Sequence, residues 1–311
     1  MNLAAWQRAP WRSIHFIPAN VQKYVAKAAS LDADAFQIDL EDSVPEHDKQ
    51  AARDALPAVI RSLASTGADV LVRVNQPLRH AVRDIEAAVC EHVSAISLAK
   101  VDGPSHVRLI AELLDDCEQQ AGMTIGHTRL IVLVESAAAF WEMRAIASAS
   151  PRVVAMSLAS EDLAEDIAAQ PLDEVMLAPK QQMILAARAS GIVPLGYIGT
   201  IANFRDAAAF RAMVRRSRSF GFSGGTSIHP SQIEALNAEF GPQSNEIATA
   251  RRLLAAAEAA SREGRGSFEL DGRMVDAPGI SKARTILAMA ASIESRTGLR
   301  EANRRAPDQR A

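Results

Sequence analysis

Short aliphatic runs alternate with stretches whose apolar residues recur every three or four positions, almost from one end of the chain to the other. A run of four to six apolar residues bounded by polar or helix-starting residues reads as a strand buried on both faces, and the longer periodic stretches read as amphipathic helices. The strands expected on this basis are Ser13–Ile17, Ala35–Leu40, Val70–Val74, Ala95–Leu98, Ile131–Val134, Val153–Met156, Ile192–Leu195 and Gly225–Ile228. Between and after them, helices are expected over Val21–Ser30, Lys49–Ser65, Val82–His92, His106–Gln119, Ala137–Ser148, Asp162–Ala169, Gln181–Ser190 and Phe204–Arg216. Eight such units with short connections favour a (β/α)8 TIM barrel, and no Gly-x-Gly-x-x-Gly follows the first strand to support an open dinucleotide-binding sheet.

The rhythm changes after Pro230. Helical patterns run from Ser231 to Asn237 and from Ser244 to Arg262, and Phe268–Val275 reads as a hairpin turning on Asp271-Gly272. A last helix is expected over Ile280–Arg296. The expected organisation is a catalytic barrel over residues 1–230 and a C-terminal extension of helices plus hairpin over 231–311. The extension has no barrel strand to supply, so its Phe268, Leu270, Met274 and Val275 need another surface, either the barrel mouth or a neighbouring subunit.

In a barrel of this kind the chemistry sits where strands end. Asp39, Glu41 and Asp42 leave the second strand, Arg73 ends the third, Lys100 the fourth and Glu135 the fifth, while Asp162 follows the sixth and His229 ends the eighth. Burying a carboxylate without a partner costs several kcal/mol, roughly 2–7 even for a neutral polar group. Glu135 and Asp162 at adjacent strand ends therefore point to a divalent cation held by oxygen ligands, with Glu161 as neighbour or cap. The competing reading makes both surface acids that start helices, where a carboxylate favours the dipole. Arg73 has a competing reading as an ion-pair partner of Glu41 or Asp42. His229 reads equally as a structural histidine, and Asp276 as the residue that starts the last helix ahead of Pro278.

Composition narrows the class. A hydrophobic fraction of 48% over 311 residues supports a substantial core, and a net charge of -3 argues against a nucleic-acid surface. The basic end, with Arg300, Arg304, Arg305 and Arg310, reads as a solvated terminus. No stretch reaches the length of a membrane span, Met1–Pro10 has Trp6, Gln7 and Arg8 in place of an apolar core, and the two cysteines Cys90 and Cys117 form no metal or redox motif. A cytoplasmic location is expected.

Eight ordered segments together resemble the citrate lyase beta-subunit-like group of the HpcH/HpaI aldolase superfamily, relatives of malyl-CoA and citramalyl-CoA lyases. They are Arg12-Ser13 with Phe16–Asn20, Asp39–Pro45, Val72–Asn75, Ala99–Val101, Val134–Ala137, Ser160–Leu163, Ile228–Gln232 and Asp271–Pro278. The resemblance implies a Mg²⁺-dependent carbon–carbon lyase acting on a 3-hydroxy-acyl-CoA thioester to give, or consume, a 2-oxo acid and an acyl-CoA. It implies that Glu135 and Asp162 hold the cation, with Glu135 also reaching substrate. It further implies that Arg73 binds substrate and faces the reacting carbonyl, and that Asp276 moves a proton from an adjacent subunit of a trimer or hexamer; Glu41 and Asp42 read as catalytic support that orients Arg73 or metal waters.

The chemistry asks for such groups independently. An arginine holds enolate charge as it develops, and a carboxylate carried by a lid can move the carbon-bound proton. Two alternatives remain open: a metal-dependent aldolase on free 2-oxo acids, and a catalytically silent acyl-CoA-binding subunit. Two departures bear on the carrier side. Pro18-Ala19-Asn20 stands where the family has Pro-Gly-Asn, and Gly196–Asn203 lacks the acids common there in relatives.

Overall fold

The computed structural model describes residues 11–201, 205–264 and 266–305. Among them Trp11–Phe240 forms one compact unit and the residues from Gly241 onward a second.

In the first unit eight strands lie in the order β7-β6-β5-β4-β3-β2-β1-β8. They are β1 (Ser13–Pro18), β2 (Ala35–Asp39), β3 (Asp69–Val74), β4 (Val93–Leu98), β5 (Arg129–Val134), β6 (Val153–Leu158), β7 (Val193–Leu195) and β8 (Gly225–Ser227). All described pairings are parallel. A parallel bridge between Leu195 and Gly224 brings β7 to the start of β8, so the sheet closes on itself as a TIM-type barrel. Closure leaves no room there: a Cβ on Gly224 would stand 1.8 Å from the Trp11 carbonyl oxygen. The strands are largely apolar because helices cover one face and the barrel interior the other, with polar residues such as Gln37, Asp39 and Arg73 at inward positions near the cavity.

The helices are α1 (Gln22–Ala28), α2 (Lys49–Ala64), α3 (Leu78–Ala88), α4 (Pro104–Gln120), α5 (Ala137–Trp141), α6 (Met143–Ala147), α7 (Ser160–Asp166), α8 (Asp173–Ala189), α9 (Ala207–Phe220) and α10 (Ser231–Phe240). Helix α8 starts two turns before the expected Gln181, because Pro179 sits inside it rather than ending it. An interior proline forfeits one backbone hydrogen bond, and here tertiary packing of the buried Met176, Met183, Ile184 and Ala187 outweighs that loss. The expected helix start at Phe204 lies outside the described residues, as do Met1–Pro10 and Arg310.

Helix α10 belongs to the barrel unit, although the sequence rhythm breaks just before it. It packs on α9 and beside β1 and β8. Asn237 takes the Ser13 hydroxyl at 2.7 Å on its side-chain oxygen and an Arg12 N–H at 3.1 Å on its carbonyl.

The second unit contains α11 (Ser244–Arg262), a hairpin of β9 (Phe268–Leu270) and β10 (Arg273–Val275), and α12 (Ala277–Arg305). Asp271 and Gly272 both have positive φ, as a two-residue hairpin turn matched to strand twist requires. Phe268 and Val275 bury with Ala260, flanked by Leu253 and Ile280, so these hairpin residues find their apolar surface within the unit. Met274 stays 76% exposed. The expected solvated basic end is corrected at Arg300, which lies within α12 and is buried. No described helix is long and apolar enough to cross a membrane.

Candidate active site

The C-terminal strand ends surround a cavity of about 860 Å³ in the barrel unit. Its wall includes Asp39, Asp42 and Arg73 on one side and Glu135 and Asp162 on another, with Tyr24, Lys27 and Lys180 further around. The inward positions follow the two-residue period of each strand, as Gln37 and Asp39 on β2 and Ile131, Leu133 and then Glu135 on β5 show.

Arg73 is fixed from three sides. Its Nε and Nη2 donate to Oδ1 and Oδ2 of Asp39, both at 2.7 Å, in a fork-to-carboxylate pair. Its Nη1 lies 2.9 Å from Glu41 and 3.5 Å from Asp42, and the guanidinium carbon stands 5.1 Å from the centre of the Phe16 ring. Burial works against the Arg73 charge, but Asp39 first, then Glu41 and Asp42, hold it more firmly protonated than usual. Burial likewise opposes the charge on Asp39, yet Arg73 and the N–H groups of Ser43 and Glu41 outweigh it and keep that carboxyl below its ordinary range. The principal partner of Arg73 is thus Asp39, whereas the sequence alone pairs the arginine with Glu41 or Asp42.

Lys100 ties this cluster to the next strand. Its ammonium pairs with Glu41 and, at 3.2 Å, with Asp42. Lys100 adopts φ of 48°, a left-handed conformation that costs a non-glycine residue about 1 kcal/mol or more. That backbone turn lets the side chain reach back to Glu41 while the Lys100 N–H serves Glu135. Behind the loop, Lys49 donates to the carbonyls of Leu40 and Glu41, and Asn75 donates to Leu40 while Asp84 anchors Asn75. Arg53 completes that support by pairing with Asp84 at 2.6 Å.

Glu135 and Asp162 are differently placed. Ser136 supplies the cap of α5 by accepting from Ala139, so Glu135 is not needed to start that helix. It is 7% exposed, and no cationic side chain pairs with it among the described residues. Burial, and then the charge of Asp162, push its carboxyl up to about 7. Asp162 lies in the first turn of α7 and is half-buried. Two oxygen-donor carboxylates in mutual repulsion, without a protein cation between them, suit a small hard divalent ion that completes its shell with water and substrate. Among the described residues no third acid, histidine or cysteine joins them as a protein ligand, and ions of this kind often take only one or two carboxylates.

The structure therefore gathers Arg73, Glu41, Asp42, Glu135 and Asp162 around one barrel mouth. Asp276 belongs to the second unit, where its Oδ1 accepts from the Gly279 N–H at 3.3 Å at the start of α12. His229 lines the cavity, with Nδ1 at 2.7 Å from the Ser231 hydroxyl. His15 lies deeper against Ser227, and burial lowers its pKa to about 4, which keeps it neutral. Lys180 carries no signal in the sequence. It sits beside Pro179 in a stretch that reads as loop, and only the true start of α8 reveals it as a buried inward-facing group.

Residues 12–230 match the HpcH/HpaI aldolase/citrate lyase family. The chain is 30% identical to citrate lyase subunit beta of Leuconostoc mesenteroides subsp. cremoris over 284 residues, covering 90% of this chain and 93% of that protein. It is 34% identical over 292 residues to a (3S)-malyl-CoA thioesterase of Cereibacter sphaeroides, covering 93% and 98%. Among solved structures it resembles CitE of Mycobacterium tuberculosis in complex with magnesium, acetoacetate and coenzyme A, at 29% identity and a TM-score of 0.70, covering 91% of this chain and 99% of that one. With barrel, strand-end acids and fixed arginine all in place, the chain belongs to the HpcH/HpaI aldolase/citrate lyase family.

Proposed function

We propose that this protein is a Mg²⁺-dependent carbon–carbon lyase that splits a 3-hydroxy-acyl-CoA into a 2-oxo acid and an acyl-CoA, or joins them. The observation that carries this reading is the placement of two acids that no cationic side chain pairs with among the described residues, Glu135 and Asp162, in the same cavity as an arginine whose orientation is fixed by Asp39. The magnesium in the M. tuberculosis relative supports the choice of ion. When bound by Glu135 and Asp162, Mg²⁺ supplies Lewis-acid polarisation of the substrate's hydroxyl and carboxylate.

The chain's own groups do the rest. As the hydroxyl loses its proton to water and its C=O forms, the breaking carbon–carbon bond sends its electron pair into the thioester carbonyl, and Arg73 has N–H groups left to receive the enolate oxygen after binding Asp39 and Glu41. Asp39 and Glu41 keep that fork aimed and charged. Lys100 shares Glu41 and Asp42 with Arg73, so the guanidinium does not carry both acids alone. Exposed Tyr24 and neighbouring Lys27 on α1 line the mouth and offer a ring and a cation to a nucleotide carrier. Asp276 of a neighbouring subunit delivers the proton to the enolate carbon, in a homo-oligomer of trimer or hexamer form.

Purified protein with Mg²⁺ should release a 2-oxo acid from at least one of malyl-, citramalyl- and citryl-CoA, with acyl-CoA as the other product. Release of free CoA without a 2-oxo acid would instead mark thioester hydrolysis. Turnover of free 2-oxo acids without affinity for CoA thioesters would favour the aldolase, and binding without turnover the silent subunit.

A further inference from the structure

Lys180 projects from α8 into the barrel mouth and is 5% exposed. An ammonium has three donors, and the acceptor it finds among the described residues is the Gly199 carbonyl at 3.1 Å. The nearest acids are engaged elsewhere: Glu161 accepts from the Thr200 hydroxyl at 3.2 Å, and Asp173 pairs with Arg216 at 3.3 Å. A buried cation with donors to spare is costly unless an anion arrives to meet it.

The strand order says which part of a ligand would arrive. Helix α8 links β6 to β7, and β7 lies four places around the ring from β3, which carries Arg73. The acids that follow β5 and β6 stand between these two walls. A substrate with its thioester carbonyl on Arg73 and its reacting hydroxyl carbon near Glu135 and Asp162 therefore turns the remaining substituent of that carbon toward β7. Gly199, whose carbonyl receives Lys180, has φ of 139°, a conformation side-chain-bearing residues rarely adopt, and an added Cβ there would stand 2.4 Å from Met213 Sδ, so the turn calls for glycine.

We infer that Lys180 binds a second carboxylate on the 2-oxo-acid half of the substrate, so that the site selects dicarboxylic over monocarboxylic 2-oxo acids. The geometry is a buried ammonium on the cavity wall opposite Arg73. This inference rests on the lyase reading above. A hydrogen or methyl substituent would leave the ammonium facing an apolar group, whereas a carboxymethyl group would complete its hydrogen bonds.

The test is titration calorimetry of the full-length protein, in saturating Mg²⁺, with freshly prepared oxaloacetate and with pyruvate. Wild type should bind oxaloacetate about 30-fold more tightly, the scale of one buried charge-assisted contact. Lys180→Met should lose that preference while binding pyruvate unchanged, and Lys180→Arg should retain most of it. Equal affinity of wild type for the two acids would overturn the inference, as would a Lys180→Met protein weakened equally toward both, which would make Lys180 a prop for the Gly199 turn. If Lys180→Met fails to fold by circular dichroism, the wild-type ratio and the arginine variant decide alone. Failure of wild type to bind either acid would overturn the lyase reading itself, an outcome distinct from pyruvate binding without preference.

Discussion

Asp39 and Arg73 are register partners on adjacent strands, and their side chains meet through two parallel hydrogen bonds of 2.7 Å. Neighbouring positions of parallel strands point to the same face, so this pairing is built into the sheet before any loop is placed. It gives Arg73 a single orientation, with Glu41 and Phe16 closing two further sides.

Arg73→Lys keeps the charge but loses the fork. It should lower kcat by roughly 10²-fold, the scale of one oxyanion donor. Steady-state kinetics that give an unchanged kcat and only a higher KM would assign Arg73 to binding alone.

Asp39 touches no reacting atom in this scheme; it positions Arg73. Asp39→Asn should lower kcat by about 10- to 100-fold, as for groups that orient a catalytic partner. Asp39→Ala leaves a buried guanidinium short of its main partner and should cost about 3–5 kcal/mol of stability. Denaturant unfolding and kinetics on the two variants separate these effects. Full activity of Asp39→Asn would show that Glu41 and Asp42 suffice to aim the arginine.

Glu135 sets a pH dependence of unusual sign. Its folded pKa of about 7 lies above the ordinary carboxylate value of 4.5, so the folded protein binds the proton more tightly than the unfolded chain does. Without metal, its contribution is most favourable below pH 4.5 and is lost as pH rises toward 7. Mg²⁺ held by Glu135 would have to displace that proton, so Mg²⁺ affinity should fall by about tenfold per pH unit below 7. In metal-free buffer at about pH 7.5, above that folded pKa, Glu135→Gln should melt higher than wild type and should no longer gain stability from added Mg²⁺. Titration calorimetry from about pH 5.5 to 8 reads the slope, and a pH-independent affinity would place the cation elsewhere.

Asp276 is a positioned helix cap in its own chain, accepting from Gly279. Its removal alone should cost about 1 kcal/mol of stability. In the proposed assembly it also completes a neighbour's site. Mixing Asp276→Ala with Arg73→Lys protein under conditions of proven subunit exchange should restore part of the activity, since some mixed sites hold both native residues. Exchange with no recovery, or an active monomer, contradicts action in trans.

The barrel is legible in the sequence because most strands are short aliphatic runs separated by helical patterns, and six of the eight are followed by a polar residue at or just past their ends. The placement of Glu135 and Asp162 at the barrel mouth is legible for the same reason, since both follow buried strands. Asp39 stands among the strand-end acids, but its pairing with Arg73 depends on strand register, which composition does not encode. The role of Lys100 is hidden in a left-handed backbone conformation that lysine rarely adopts. Lys180 is hidden by Pro179, because a proline that reads locally as a helix stop is carried inside α8 by packing. At the other end, the hairpin's apolar residues are legible, but Phe268 and Val275 are covered by α11 and α12 of their own unit.

The central claim is that Glu135 and Asp162 hold the Mg²⁺ that makes carbon–carbon cleavage possible. The most direct measurement follows 2-oxo acid release from a 3-hydroxy-acyl-CoA across a Mg²⁺ titration, for wild type, Glu135→Ala and Asp162→Ala of verified fold. Wild type should show saturable Mg²⁺-dependent release that chelation abolishes, and both variants should show none at any Mg²⁺ concentration. Wild-type turnover by both variants at limiting Mg²⁺ would contradict it.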